Sequence, residues 1–267
     1  MSGIFRTLAI VSAVLLLAIA GPAALGALLQ EHDDNDPAQA EALIREAIRV
    51  RGGERYLQIR SMVSRGQFTP FDKGVPGDPK SFVDYLVYPD HERTEFGRGG
   101  GKRIETTSGN SGWVYDAGEK RLRDETEDQL KIAQQSFRYD LDNLLRSAWR
   151  EQGSKLVFLG RREVWHNTFS RAVRIDFADG ASATLHFDPR TKLPLEAEYK
   201  MVSKDGTTSE EVRFNRWVEF GGVQFPTIQD FYRDGKQSTR ASFDTFEINA
   251  NIPEKAFVKP ASLKEVK

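Results

Sequence analysis

The chain has 267 residues, enough for one large domain or two small ones, and its 38 Lys and Arg nearly balance 39 Asp and Glu, for a net charge of −1. Without a clustered basic excess, a nucleic-acid surface is excluded as a working hypothesis. The absence of cysteine excludes a disulfide framework, a thiolate metal site and a lipid anchor attached to this chain, so stability has to come from the core.

The first 26 residues read as an export signal. Arg6 supplies the positive start, Leu8 to Leu17 is apolar apart from Ser12, and the small residues Ala18-Ile19-Ala20 or Ala24-Leu25-Gly26 place cleavage after Ala20 or after Gly26. The rival reading is an uncleaved inner-membrane anchor, because Thr7 to Leu29 carries no charge and has the length of a membrane span. Residues 27–36 follow as a linker, residues 37–260 as one domain, and residues 261–267 as a tail.

Asp36 and Pro37 open a helix, since an aspartate caps and a first-position proline has no amide to satisfy. Its stripe of Ala40, Leu43, Ile44, Ala47 and Ile48 recurs at helical spacing, and Gly52-Gly53 ends it. After a short helical turn at Glu54 to Ile59, strands are expected at Ser61 to Phe71, Phe82 to Tyr88, Glu92 to Phe96, Arg103 to Thr107, Trp113 to Tyr115 and Lys120 to Arg123. The glycine-rich Gly97 to Gly101 leads into a strand with no helix behind it, so a hairpin tip is expected rather than a phosphate cradle.

Thr126 with Gln129 forms a capping box for one long interior helix, whose stripe is Leu130, Ala133, Phe137, Leu141, Leu144, Leu145 and Ala148. This helix interrupts a sheet and is the natural cover for its apolar face. From Leu156 to Ile248 the pattern has period two: Phe169, Arg171, Val173, Ile175 and Phe177; then Ala183, Leu185 and Phe187; then Leu195, Ala197, Tyr199 and Met201; then Val212, Phe214, Val218 and Phe220. Short turns at Asp179-Gly180, Asp188-Pro189, Asp205-Gly206, Gly221-Gly222 and Asp234-Gly235 make these strands antiparallel neighbours in one meander.

Catalytic patterns are missing. His32, His91, His166 and His186 sit in no metal-ligand spacing, and His186 falls in the polar set of its strand, where a solvated ring is expected. Gly109-Asn110-Ser111-Gly112 reads as a turn, not a nucleophile elbow. Glu196 with Glu198, and Glu210-Glu211, fall in sets expected to be exposed, without the burial that raises a carboxyl pKa. The expectation is a non-enzyme with no cofactor and no metal.

Several segments together resemble the bacterial outer-membrane lipoprotein-sorting-protein-like family, the LolA/LolB-like half-barrels. They are Arg51-Gly52-Gly53-Glu54-Arg55-Tyr56-Leu57-Gln58-Ile59-Arg60-Ser61, Tyr88-Pro89-Asp90-His91-Glu92-Arg93, Gly112-Trp113-Val114-Tyr115, Phe187-Asp188-Pro189-Arg190-Thr191-Lys192-Leu193-Pro194, Gly221-Gly222-Val223-Gln224-Phe225-Pro226 and Ile248-Asn249-Ala250-Asn251-Ile252-Pro253 with Phe257 and Pro260. The resemblance implies a mainly β (α+β) fold, a single unclosed curved antiparallel sheet of about eleven strands with amphipathic helices on its concave face. It further implies a monomeric periplasmic carrier of lipid or lipoprotein acyl chains that meets inner- or outer-membrane donor and acceptor proteins. Other members of the fold sense envelope stress through a partner protein and lipid signals.

On that reading, alternation marks Trp113, Val173, Ile175, Phe177, Leu185, Phe187, Tyr199, Met201 and Phe214 as cavity lining, with Phe137, Leu141 and Leu144 from the covering helix. The same alternation describes a packed core equally well. Arg171 stands in the apolar set of its strand, where an acidic or phosphate partner is expected.

Overall fold

The computed structural model describes residues 36–266. The expected export signal and the linker up to residue 35 lie outside the described residues, and no described helix is long and apolar enough to cross a membrane.

Helix α1, Pro37–Arg51, begins as its sequence requires: the Asp36 carboxylate accepts from the Ala38 amide at 2.9 Å. It ends at Gly52, whose φ of 133° favours glycine and whose missing Cβ would lie 2.8 Å from the Gly222 carbonyl oxygen. Helix α2, Glu54–Leu57, leads into the sheet.

The first run of strands is β1 Ser61–Asp72, β2 Val75–Pro76, β3 Lys80–Val87, β4 His91–Phe96, β5 Arg103–Ser108, β6 Ser111–Asp116 and β7 Arg121–Asp124. The second is β8 Lys155–Trp165, β9 Thr168–Asp176, β10 Ser182–Phe187, β11 Pro194–Ser203, β12 Gly206–Phe220, β13 Val223–Arg233 and β14 Lys236–Ile248. All pair antiparallel in one sheet of 14 strands rather than about eleven, in the order β7-β6-β5-β4-β3-β1-β14-β13-β12-β11-β10-β9-β8, with β2 attached to β1 alone. Each run is a meander of short hairpins, and the pairing of β1 with β14, Met62 opposite Ile248, joins the two. At the β1 bulge between Arg65 and Gly66, an added Cβ on Gly66 would sit 2.0 Å from the Ser242 carbonyl oxygen.

The sheet stays open because β7 and β8, its two edges, do not pair with each other. The chain between them is helical, so the covering helices are the connection across the gap. One long helix was expected here and two are found: α3, Glu127–Tyr139, and α4, Leu141–Arg146. The break is Asp140, at φ −57° and ψ 138°, whose carboxylate accepts from the amides of Asp142 and Asn143 and so caps α4. Aspartate competes for backbone amides better at a helix start than inside one. The Thr126–Gln129 capping box forms as read.

Helix α1 packs on β8, β9 and β13, and α3 on β11. Beneath them lies the core of Ile44, Ile48, Leu144, Val173, Leu185, Phe187 and their neighbours. The opposite face of the first meander is covered by the C-terminal segment. Register places Val63, Tyr85, Arg93, Thr106 and Trp113 in one row on that face, where Trp113 Nε1 donates to the Phe257 carbonyl at 2.9 Å and Arg93 Nη1 to that of Ala256 at 2.9 Å.

Candidate functional site

The helix-covered face is fastened by a buried polar knot. Arg51 falls one turn beyond Ala47 and Ile48 on the apolar stripe of α1 and is wholly buried. Its Nη1 donates to Asp142 Oδ1 of α4 at 2.5 Å and to the Tyr56 hydroxyl at 2.9 Å, while its Nε donates to the Gln224 carbonyl at 3.2 Å. Asp142 also accepts from the hydroxyls of Tyr56, at 2.9 Å, and Tyr88. Burial pushes the Asp142 carboxyl upward, but the Arg51 guanidinium and the hydrogen bonds from Tyr88, Arg51 and Tyr56 outweigh it and hold the group below its ordinary range. Beside the knot, Arg146 donates to the carbonyls of Leu57 and Ile59 and lies over the Tyr88 ring at 4.3 Å. Together these bonds tie α4 to α1, α2 and the end of β3. Sequence reading passed over the knot; its one signal was an arginine on an apolar stripe.

The residues expected to line a cavity separate into three groups. Leu141, Leu144, Val173, Ile175, Phe177, Leu185, Phe187, Met201 and Phe214 are brought together, but as one packed core under α1 and α4; Leu144, Val173, Leu185 and Phe187 have no accessible surface. Phe137 is buried on α3. Trp113 is on the other face, beneath the C-terminal segment, where it helps to line a separate groove of about 780 Å³. Tyr199 alone among them is half-buried and borders an open groove on the helix side.

That groove, about 900 Å³, runs between α3 and strands β11 and β12. The Tyr139 and Tyr199 rings stack at 4.5 Å along it. Helix α3 is held there by backbone contacts: Gln135 donates to the Val202 carbonyl at 2.7 Å and accepts from the Val202 amide at 2.8 Å, and Asp128 accepts from the Lys204 amide at 2.8 Å. Arg138 pairs with Asp179 at 2.6 Å and covers the Phe177 ring at 3.9 Å.

Across the sheet, the first meander turns an acidic row to the same face. Ser64, Asp84, Thr94 and Glu105 are register neighbours, and the next row is Met62, Leu86, Glu92 and Thr107. Burial raises Asp84 to about 6, although Thr94 donates to it at 2.8 Å. Burial, and then the charges of Asp84, Asp140 and Glu105, pushes Glu92 well above the usual carboxylate range. Asp140 is raised to about 7 by burial and by Asp142, yet keeps contact with solvent.

Two expectations about the other face are corrected. His186, expected in solvent, is 4% exposed, and Glu196, expected to be exposed, is 1% exposed. The polar set of β10 and β11 is covered because Arg213 of β12 lies across it, its guanidinium between the rings of Trp165 at 5.2 Å and Tyr232 at 4.2 Å. Burial, then Glu211 and Glu198, raises Glu196 to about 9. Ligand atoms of His186, Glu196 and Glu198 lie within 4.8 Å of one another, the residues best placed to hold a metal among those described. Arg171 is half-buried on the core face without a carboxylate partner among the described residues; its guanidinium lies over the Phe158 ring at 4.9 Å, and this contact replaces the expected acid.

No protein-family model matches the chain, and no curated protein matches it in sequence. Solved structures do match. A domain named for outer-membrane lipoprotein sorting, from Vibrio parahaemolyticus, aligns over 83% of this chain and 97% of its own, with a TM-score of 0.52 at 11% identity. A LolA superfamily protein from Nitrosomonas europaea covers 82% of this chain and 97% of its own, with a TM-score of 0.54 at 11% identity. A DUF1329 family protein from Desulfovibrio piger covers 84% and 98%, with a TM-score of 0.54 at 16% identity. The chain therefore shares the fold of these structures, and at these identities the likeness carries the fold alone.

Proposed function

We propose that this protein is a non-catalytic carrier of the bacterial periplasm, which holds acyl chains of lipid or lipoprotein against the helix-covered face of its sheet. The observation that carries the reading is the groove of about 900 Å³ between α3 and the sheet, whose wall has Tyr139, Tyr199 and Val202 among charged residues such as Lys131, Arg138, Lys200 and Glu210. Its volume is that of a small-molecule site. Each methylene moved from water into it is worth roughly 0.8 kcal/mol, so a long chain is held only where contact is nearly continuous. The core residues beneath α1 and α4, from Val173 to Phe214, join the binding surface only if α4 lifts, and the Arg51–Asp142 knot opposes that motion.

A second reading is favoured by one observation: the half of the sheet under α1 and α4 is filled by its own side chains. An envelope interaction or stress-sensing module of the same fold, without transported cargo, needs no further cavity.

Native mass spectrometry on detergent-free protein, with lipid analysis of an organic extract, separates the two. A stoichiometric, releasable lipid that is lost in a folded Tyr199→Asp variant is the result expected of a carrier. A bare polypeptide mass, unchanged after incubation with membrane vesicles, would overturn the carrier and favour the interaction module.

A further inference from the structure

On the face of the sheet away from the helices, Ala172, His186, Glu196 and Arg213 are consecutive register partners across β9, β10, β11 and β12. Glu198 stands two residues along β11 on the same face, opposite Glu211. The His186 ring is buried, and its two nitrogens face different neighbours. Ser170 Oγ donates to the Arg162 carbonyl at 3.3 Å, which uses its one proton, and lies 2.9 Å from His186 Nδ1. Nε2 is buried and makes no hydrogen bond; the closest acidic oxygen, Glu198 Oε1, is 3.5 Å away.

A buried imidazole nitrogen without a hydrogen bond, beside two carboxylates, is a geometry that a cation between them would complete. We infer that His186, Glu196 and Glu198 form a binding site for a divalent cation of zinc-like character, whose outermost residue, Glu198, also borders the groove beside α3. One imidazole nitrogen and two carboxylates are a donor set zinc accepts. Ligands about 2.1 Å from a tetrahedral zinc are about 3.4 Å from one another, close to the 3.5 Å between His186 Nε2 and Glu198 Oε1. Charge points the same way. Glu196, Glu198 and Glu211 share one guanidinium, Arg213, which reaches Glu196 at 3.2 Å and also Glu211, so carboxyl groups outnumber cations in a largely covered position. Ser170, 2.9 Å from Nδ1, is the outer partner that orients the ring. Glu198, half-exposed, gives the ion its way in, and three protein ligands leave a fourth position for water.

The test is calorimetric titration of Zn²⁺ into untagged, EDTA-treated and dialysed protein. One equivalent per chain is expected to bind. Glu198→Gln, at a half-exposed position that should not disturb folding, is expected to weaken binding at least about tenfold, and His186→Ala to remove it, with circular dichroism unchanged. Failure to bind Zn²⁺ saturably, or equal binding by the wild type and a folded Glu198→Gln, overturns the site. Should His186→Ala not fold, Glu198→Gln alone decides.

Discussion

Replacing Asp142 by alanine tests whether the buried knot holds the covering helices to the sheet. The substitution leaves Arg51 wholly buried with no anion, and breaking a buried pair by removing one partner costs about 3–5 kcal/mol. The hydroxyls of Tyr56 and Tyr88 lose their acceptor at the same time; an orphaned buried donor costs about 1–3 kcal/mol, a loss that overlaps with the first. Against a total stability of about 5–15 kcal/mol, a loss near 4 kcal/mol is severe, and at about 2–4 °C per kcal/mol for a domain of this size it lowers Tm by about 8–16 °C. Urea unfolding at pH 7 followed by circular dichroism is the assay. The double variant Arg51→Met with Asp142→Leu should recover most of the loss, because no charge is then stranded. The folded carboxyl of Asp142 is held below its ordinary value, so it binds a proton less tightly than in the unfolded chain. Its contribution is present above the unfolded pKa of about 3.9 and disappears as pH falls through the folded value. A loss below about 1 kcal/mol in Asp142→Ala would refute the reasoning.

The raised carboxyls of the first meander and of Asp140 predict the opposite pH dependence. Asp84 and Asp140 are raised to about 6 and about 7, so the folded state holds their protons more tightly and stability falls as pH rises from about 4 toward those values; Glu92→Gln should raise the urea midpoint at pH 8 and flatten the change between pH 5 and 8. Trp113→Phe keeps the ring but loses the hydrogen bond to the Phe257 carbonyl. It should cost about 1 kcal/mol and speed proteolytic cleavage within residues 250–266, seen by mass spectrometry of the fragments. Gly66→Ala forces a Cβ to 2.0 Å from the Ser242 carbonyl oxygen in the paired strand. At least about 2 kcal/mol should be lost in thermal unfolding, and a wild-type Tm would contradict the bulge geometry.

Local chemistry determined much of this protein. The caps at Asp36 and Thr126, the stop at Gly52 and the period of two from β9 to β12 each rest on neighbours a few residues away, and each is found where the sequence puts it. Antiparallel order also follows from short turns, because a hairpin tip leaves adjacent strands no other partner. Tertiary structure decided what covers each face, since alternation says that two faces differ and not what lies on them. Val173, Leu185 and Phe187 became solid core because α1 and α4 press on that half of the sheet, whereas Tyr199 beside α3 stayed open. Trp113 found the C-terminal segment, more than a hundred residues away in the chain. His186 and Glu196, polar by alternation, were buried because Arg213 and Trp165 lie over them. Asp142 could be recognised as a buried charge only through Arg51, 91 residues earlier, because desolvation and pairing depend on groups that folding alone brings together.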